Sequence, residues 1–241
     1  FDVLIVDEAH RLEGVLLGQL EVTASRHRLE ETLRLLGSGT ARGRRGARLA
    51  RGDDGTEGGP GGLLARVRGF ALPLFAARGE PGAEREELEA LTRRVGEARR
   101  DADRFFAAIE PRGERHAVYG ARERYRSVGE LLGRDLEPLE AVLSHCQRFT
   151  RSLHLLAEEV GSLGGGAAAE ELSGELEQVA GRFARLGEDL DHLAEATSRE
   201  WVYWRSASGR GVELHGMPVS AGEHARRLVT RSEERRVGKE C

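Results

Sequence analysis

Residues 139–193 read LEAVLSHCQRFTRSLHLLAEEVGSLGGGAAAEELSGELEQVAGRFARLGEDLDHL, and their apolar positions recur at the spacing of a helix face. Leu139, Val142, Cys146, Phe149, Leu153, Leu156 and Val160 follow one another at steps of three and four. Leu172, Leu176, Val179, Phe183, Leu186, Leu190 and Leu193 do the same. Such steps keep side chains on one side of a 3.6-residue turn, so each run predicts a long helix with one apolar stripe. Gly164-Gly165-Gly166 supplies the turn between them. Two helices joined this way bury their stripes in a packed bundle or an antiparallel coiled coil.

Toward the N-terminus a third stripe runs through Leu88, Leu91, Val95, Ala98, Ala102, Phe105 and Ile109. The second helical region is expected to start near Arg122, with a restart at Pro138. Residues Arg11 to Leu36 also predict helix, with Leu29, Leu33 and Leu36 on one stripe. Between these lies a polar, glycine-rich segment, Gly37 to Gly62, which predicts a disordered loop. Its cluster Arg42, Arg44, Arg45, Arg48 and Arg51 has an alternative reading as a phosphate-touching patch. After Arg199 the period shortens to that of strands. Trp201 to Trp204, a turn over Ser206–Gly211 and Val212 to Met217 predict a hairpin ended by Pro218.

At the other end Phe1 to Val6 (FDVLIV) is a nearly continuous apolar run, the pattern of a strand buried on both faces of a parallel sheet. The chain opens there without a methionine, so translation is expected to begin upstream. With 39% hydrophobic, 5% aromatic and 32% charged residues, the composition fits long solvated helices better than a compact enzyme. No secretory signal or apolar run of membrane-spanning length appears, which predicts a cytoplasmic protein with no membrane partner. Cys146 and Cys241 are too few for a metal or iron-sulfur quartet, and Cys146 reads as a small core residue.

Lys239 is the single lysine among 37 basic residues. It lies in a tail, residues 231–241, that reads as the translation of a sequencing adapter and is set aside as artefactual. Without that tail 33 basic and 38 acidic residues remain, a net charge of −5. Such a balance gives no global attraction to nucleic acid, so any contact with DNA must be local.

The chemistry lies at the end of the first strand, in Val6-Asp7-Glu8-Ala9-His10. A buried strand delivers its last residues to the carboxyl edge of a parallel sheet, where phosphates and metal ions sit in doubly wound folds. Asp7 is placed to hold Mg²⁺ through its water shell, since magnesium keeps several waters and takes few hard oxygen ligands. Glu8 is placed to accept a proton from the water attacking the γ-phosphate of ATP. His10 would pass the nucleotide state to neighbouring segments by hydrogen bonding. The plainer reading is an acidic helix start, where Asp and Glu meet the positive end of the helix dipole. A zinc-protease reading fails for want of His-Glu-x-x-His.

The run FDVLIVDEAHRLE, with Arg11, Leu12 and Glu13 after the box, resembles the DinG/XPD group of superfamily 2 DEAH-box DNA helicases. No Ser-Ala-Thr motif follows His10, and helical sequence stands where other DEAH enzymes carry one. The resemblance implies a mainly α fold in which a long-helix arch insertion is flanked by pieces of a RecA-like α/β motor domain. Residues 1–25 would belong to the motor, 26–198 to the arch and 199–230 to the return into the motor. Trp201 to Trp204 and Met217-Pro218-Val219 resemble the segment that makes this return. The partners implied are ATP, Mg²⁺ and single-stranded DNA, threaded between arch and motor, with Trp201 or Trp204 as stacking candidates. An iron-sulfur cluster and the oligomeric state stay open, as does an exonuclease domain fused elsewhere. The competing reading is a non-catalytic helical scaffold whose stripes bind a partner helix.

Overall fold

The computed structural model describes residues 9–37, 62–78, 83–111, 121–133, 135–208 and 211–222. Among these the chain is mainly helical, in the order α1 (Ala9–Leu20), β1 (Val22–Ser25), α2 (Arg26–Leu36), α3 (Gly62–Arg78), α4 (Ala83–Ala108), β2 (Ala121–Arg124), α5 (Val128–Leu132), α6 (Glu137–Ser162), α7 (Ala167–Glu195), β3 (Trp201–Ser208) and β4 (Gly211–Pro218).

The three stripes become the core. Every stripe residue from Leu88 to Leu193 named above is buried. Pro138 sits in the first turn of α6, where its missing N–H is not needed. Gly164 and Gly166, at φ 71° and 63°, turn the chain back into α7 through backbone angles that side chains disfavour. Phe149 and Phe183 stack across the α6–α7 seam with centroids 4.6 Å apart. α4 packs on α6, while α2 packs against α4 and α7.

The four strands form one antiparallel sheet in the order β1-β4-β3-β2. Tyr203, Arg205 and Ala207 of β3, with Val212 and Leu214 of β4, face the helices and are buried. Helices and sheet thus share one apolar core. Gly216 lies where β4 crosses α7, and a Cβ there would come within 2.9 Å of Leu193 Cδ2, so that side chain would have to shift.

Several expectations need correction. The helix expected over Arg11–Leu36 is broken by β1, because Val22 to Ser25 pair with Gly216 to Glu213 of β4. Ser25 then caps α2, its hydroxyl accepting from the Arg28 amide at 3.2 Å. The region from Arg122 begins as β2 rather than helix. The strands reach further than expected: β3 continues to Ser208 and β4 starts at Gly211. Helix α3 falls just after the glycine-rich segment and was not anticipated. The expected strand at Phe1–Val6, the loop over residues 38–61 and the tail 231–241 lie outside the described residues. Strands β1 and β2 both join the β3–β4 hairpin in one sheet.

Candidate functional site

Asp7 and Glu8 lie outside the described residues, and His10 stands in the first turn of α1. Helix α1 opens at Ala9, the residue after Glu8. A helix start leaves backbone N–H groups free and carries partial positive charge, which suits an anionic ligand beside it. The same helix packs on β4 and passes through Glu21 into β1, so the segment after the box is docked on the sheet.

A polar clasp fixes that docking. His215 Nδ1 lies 2.8 Å from Glu21 Oε1, and its Nε2 lies 2.8 Å from Ser206 Oγ. The imidazole stacks on Trp204 at 5.0 Å with the rings 1° from parallel. Both ring nitrogens therefore have a hydrogen-bond partner, a carboxylate on one side and a hydroxyl on the other. The order serine, histidine, carboxylate is that of a hydrolytic triad. Ser206, however, sits mid-strand between β2 and β4, where neighbouring amides serve the ladders rather than an oxyanion. The arrangement joins the end of α1 to the hairpin.

Arg205 makes a second fixing from the inner face. The residue is 8% exposed, and its guanidinium donates to the Ile109 carbonyl at 2.6 Å and pairs with Glu123 of β2. Tyr125 adds a third, its buried hydroxyl donating to the Leu193 carbonyl at 3.0 Å. Burial pushes that phenol's pKa up, so it stays a donor.

Two hollows accompany these elements. One, about 400 Å³, runs between α6 and α7 over Cys146, whose thiol is pushed up to about 12 by burial. A thiol so held makes a poor nucleophile. The other, about 880 Å³, opens where β2 and β3 leave the helices. Arg124, Arg126 and Arg199 line it together with Tyr125, Trp201 and Tyr203. Trp201 packs its edge on His192 at 4.6 Å and so belongs to the core margin, while Trp204 faces outward on the opposite side of β3.

Among the described residues no group of three or more His, Cys, Asp or Glu converges as a metal site, and no helix is long and apolar enough to cross a membrane. No protein-family model matches the chain, and no curated protein matches it significantly. The clasp and the basic cleft were not foreseen from the sequence. The cleft left a trace in Arg122-x-Arg124-x-Arg126, a period of two, which the abundance of arginine obscures.

Proposed function

We propose that this chain carries the hydrolytic carboxylates and a helical insertion of an ATP-dependent DNA helicase of the DinG/XPD kind. Such an enzyme couples ATP hydrolysis to movement along single-stranded DNA. One observation carries the reading: Asp7-Glu8-Ala9-His10 closes a nearly continuous apolar run, Phe1 to Val6. Two features support it. A helix opens directly after the two carboxylates, and a helical body follows until the hairpin at 201–218.

In this reading Asp7 and Glu8 present hard oxygen donors of the type magnesium prefers, with Asp7 as its holder. Bound Mg²⁺ would neutralise charge on the β- and γ-phosphates. Glu8 takes the proton of the attacking water and aims its oxygen, and His10 hydrogen-bonds toward adjoining segments. The chain contains no Gly-x-x-x-x-Gly-Lys-Ser/Thr loop to cradle the phosphates, so alone it is expected to turn over no ATP. The scaffold reading needs apolar stripes free for a partner, and the three long stripes are buried within the chain itself.

The test is Glu8→Gln in a protein that joins this chain to a phosphate-binding loop. DNA-stimulated ATP turnover should fall by roughly 10²- to 10⁴-fold while nucleotide binding persists. Unchanged turnover would remove Glu8 from the mechanism and the helicase reading with it.

A further inference from the structure

The sheet has a second face. Tyr203, Arg205, Ala207, Val212 and Leu214 turn toward the helices and are buried, and alternate residues of a strand point the opposite way. Val202, Trp204 and Ser206 of β3 and Glu213, His215 and Met217 of β4 therefore share the outer face, each only partly buried. Val202, Trp204 and Met217 are not among the side chains packed on the shared core. On β2 the outer face carries Arg122 and Arg124, both exposed, since Glu123 between them turns inward to Arg205.

The register arranges this face in two rows across the sheet. Arg122, Ser206 and Glu213 form one, and Arg124, Trp204 and His215 form the other. Each row is basic at β2 and acidic at β4. Glu213 is 39% exposed and approaches His215 at 3.7 Å, while the Glu21 carboxylate meets the other nitrogen of that ring. Arg122 and Arg124 make no ion pair or side-chain hydrogen bond among the described residues. Between the opposite charges stands Trp204, with one indole face on His215.

We propose that this face docks on the same face of a second copy of the chain, about a two-fold axis that runs along β3. Strands β2 and β4 lie about 4.8 Å to either side of β3. Half a turn about that axis keeps each level along the strand and carries β2 of one copy over β4 of the other. Arg122 then meets Glu213 of the second copy, Arg124 meets the carboxylate of Glu21 beside His215, and the two Trp204 indoles meet at the axis. Every pair forms twice, because the contact is isologous. An aromatic centre with a charged rim is the usual anatomy of an interface. The charge pattern selects this occupant, since a uniformly acidic or basic partner would meet like charge along one strand. The face is narrow, so the pair is expected to be reversible, with a dissociation constant on the order of 100 µM. It needs neither ATP nor DNA, and its failure would leave the role of Glu8 untouched.

The experiment is sedimentation of the purified 241-residue chain from about 10 µM to about 1 mM, without nucleotide. The wild type should pass from monomer to dimer over this range, and added salt should weaken the pair. Arg122→Glu alone sets carboxylate against carboxylate at both contacts, and Glu213→Arg alone sets guanidinium against guanidinium. Each should weaken self-association at least about tenfold. An equimolar mixture of the two variants pairs opposite charges at both contacts again, so it should regain the wild-type dimer as a heterodimer. Circular dichroism checks that each variant is folded. A wild type that stays monomeric at about 1 mM would overturn the proposal. So would a dimer indifferent to both reversals, or a mixture that fails to recover, since either places the contact elsewhere.

Discussion

The α6–α7 hairpin and the four-stranded sheet share one core, yet they are held by different forces. Between the helices one short turn brings apolar stripes together, and Phe149 meets Phe183 with neither ring exposed. The sheet gathers strands that begin at residues 22, 121 and 201 and fixes them with polar groups. Arg205 holds Ile109 and Glu123, Tyr125 holds Leu193, and His215 stands between Glu21 and Ser206. Apolar burial is non-directional and large, whereas a hydrogen bond has one partner at one distance. Stability in this molecule therefore comes mainly from the helices, and register in the sheet comes from the fixings.

The largest effect expected from this contrast is at the helical seam. Phe149→Ala should cost about 3–5 kcal/mol, because it removes a fully buried ring and leaves a cavity between two long helices. Urea denaturation should show a lower midpoint with an unchanged slope. A loss below about 1 kcal/mol would break the contrast, since the seam would then hold no more than a surface pair does.

Arg205→Met comes next and sharpens the other side. The substitution leaves the Ile109 carbonyl without its donor, but Glu123 is 54% exposed and water takes over that partner. The expected cost is about 1–3 kcal/mol, with amide shifts concentrated in β2 and the end of α4. A neutral outcome would mean that register is set by the ladders alone.

The same division decides what could be read in the sequence. The helices were legible because residues three and four apart meet within one element, whatever the rest of the chain does. Strands β1 and β2 have four residues each, and partners that begin about 190 and 80 residues away decide their pairing. Helix α3 has its own stripe of Leu63, Val67, Ala71 and Phe75, but Gly69 and Pro73 read as interruptions beside a glycine-rich segment. Asp7 and Glu8 were legible as a contiguous string. The clasp was not, because Glu21 and His215 stand 194 residues apart and only the fold joins them. Gly216 looks like any strand-breaking glycine until Leu193 is seen beside it.

A pH series tests the helical seam without changing its shape. The Cys146 thiol is raised from 9.0 to about 12 by burial, so the unfolded chain gives up this proton first. Its contribution is complete below pH 9 and is lost as pH rises from 9 toward 12, where the unfolded state binds fewer protons. The slope is at most about 1.4 kcal/mol per pH unit. Cys146→Ala should start from a lower baseline and fall less steeply between pH 9 and 10.5. Identical slopes would place solvent at the thiol and open the α6–α7 seam.

The smallest effect is expected at the clasp, and its distribution matters more than its size. Glu21→Ala removes a partner that is 30% exposed from a histidine 12% exposed, so the global loss should stay under about 1 kcal/mol. Hydrogen exchange should speed up locally, in β1, the end of α1 and β4 near His215, because these are the segments the clasp joins. Protection in α6 and α7 should hold, since their contacts do not run through Glu21. If exchange there rose equally, sheet and helices would open as one unit, and the separation of register from stability would have to be given up.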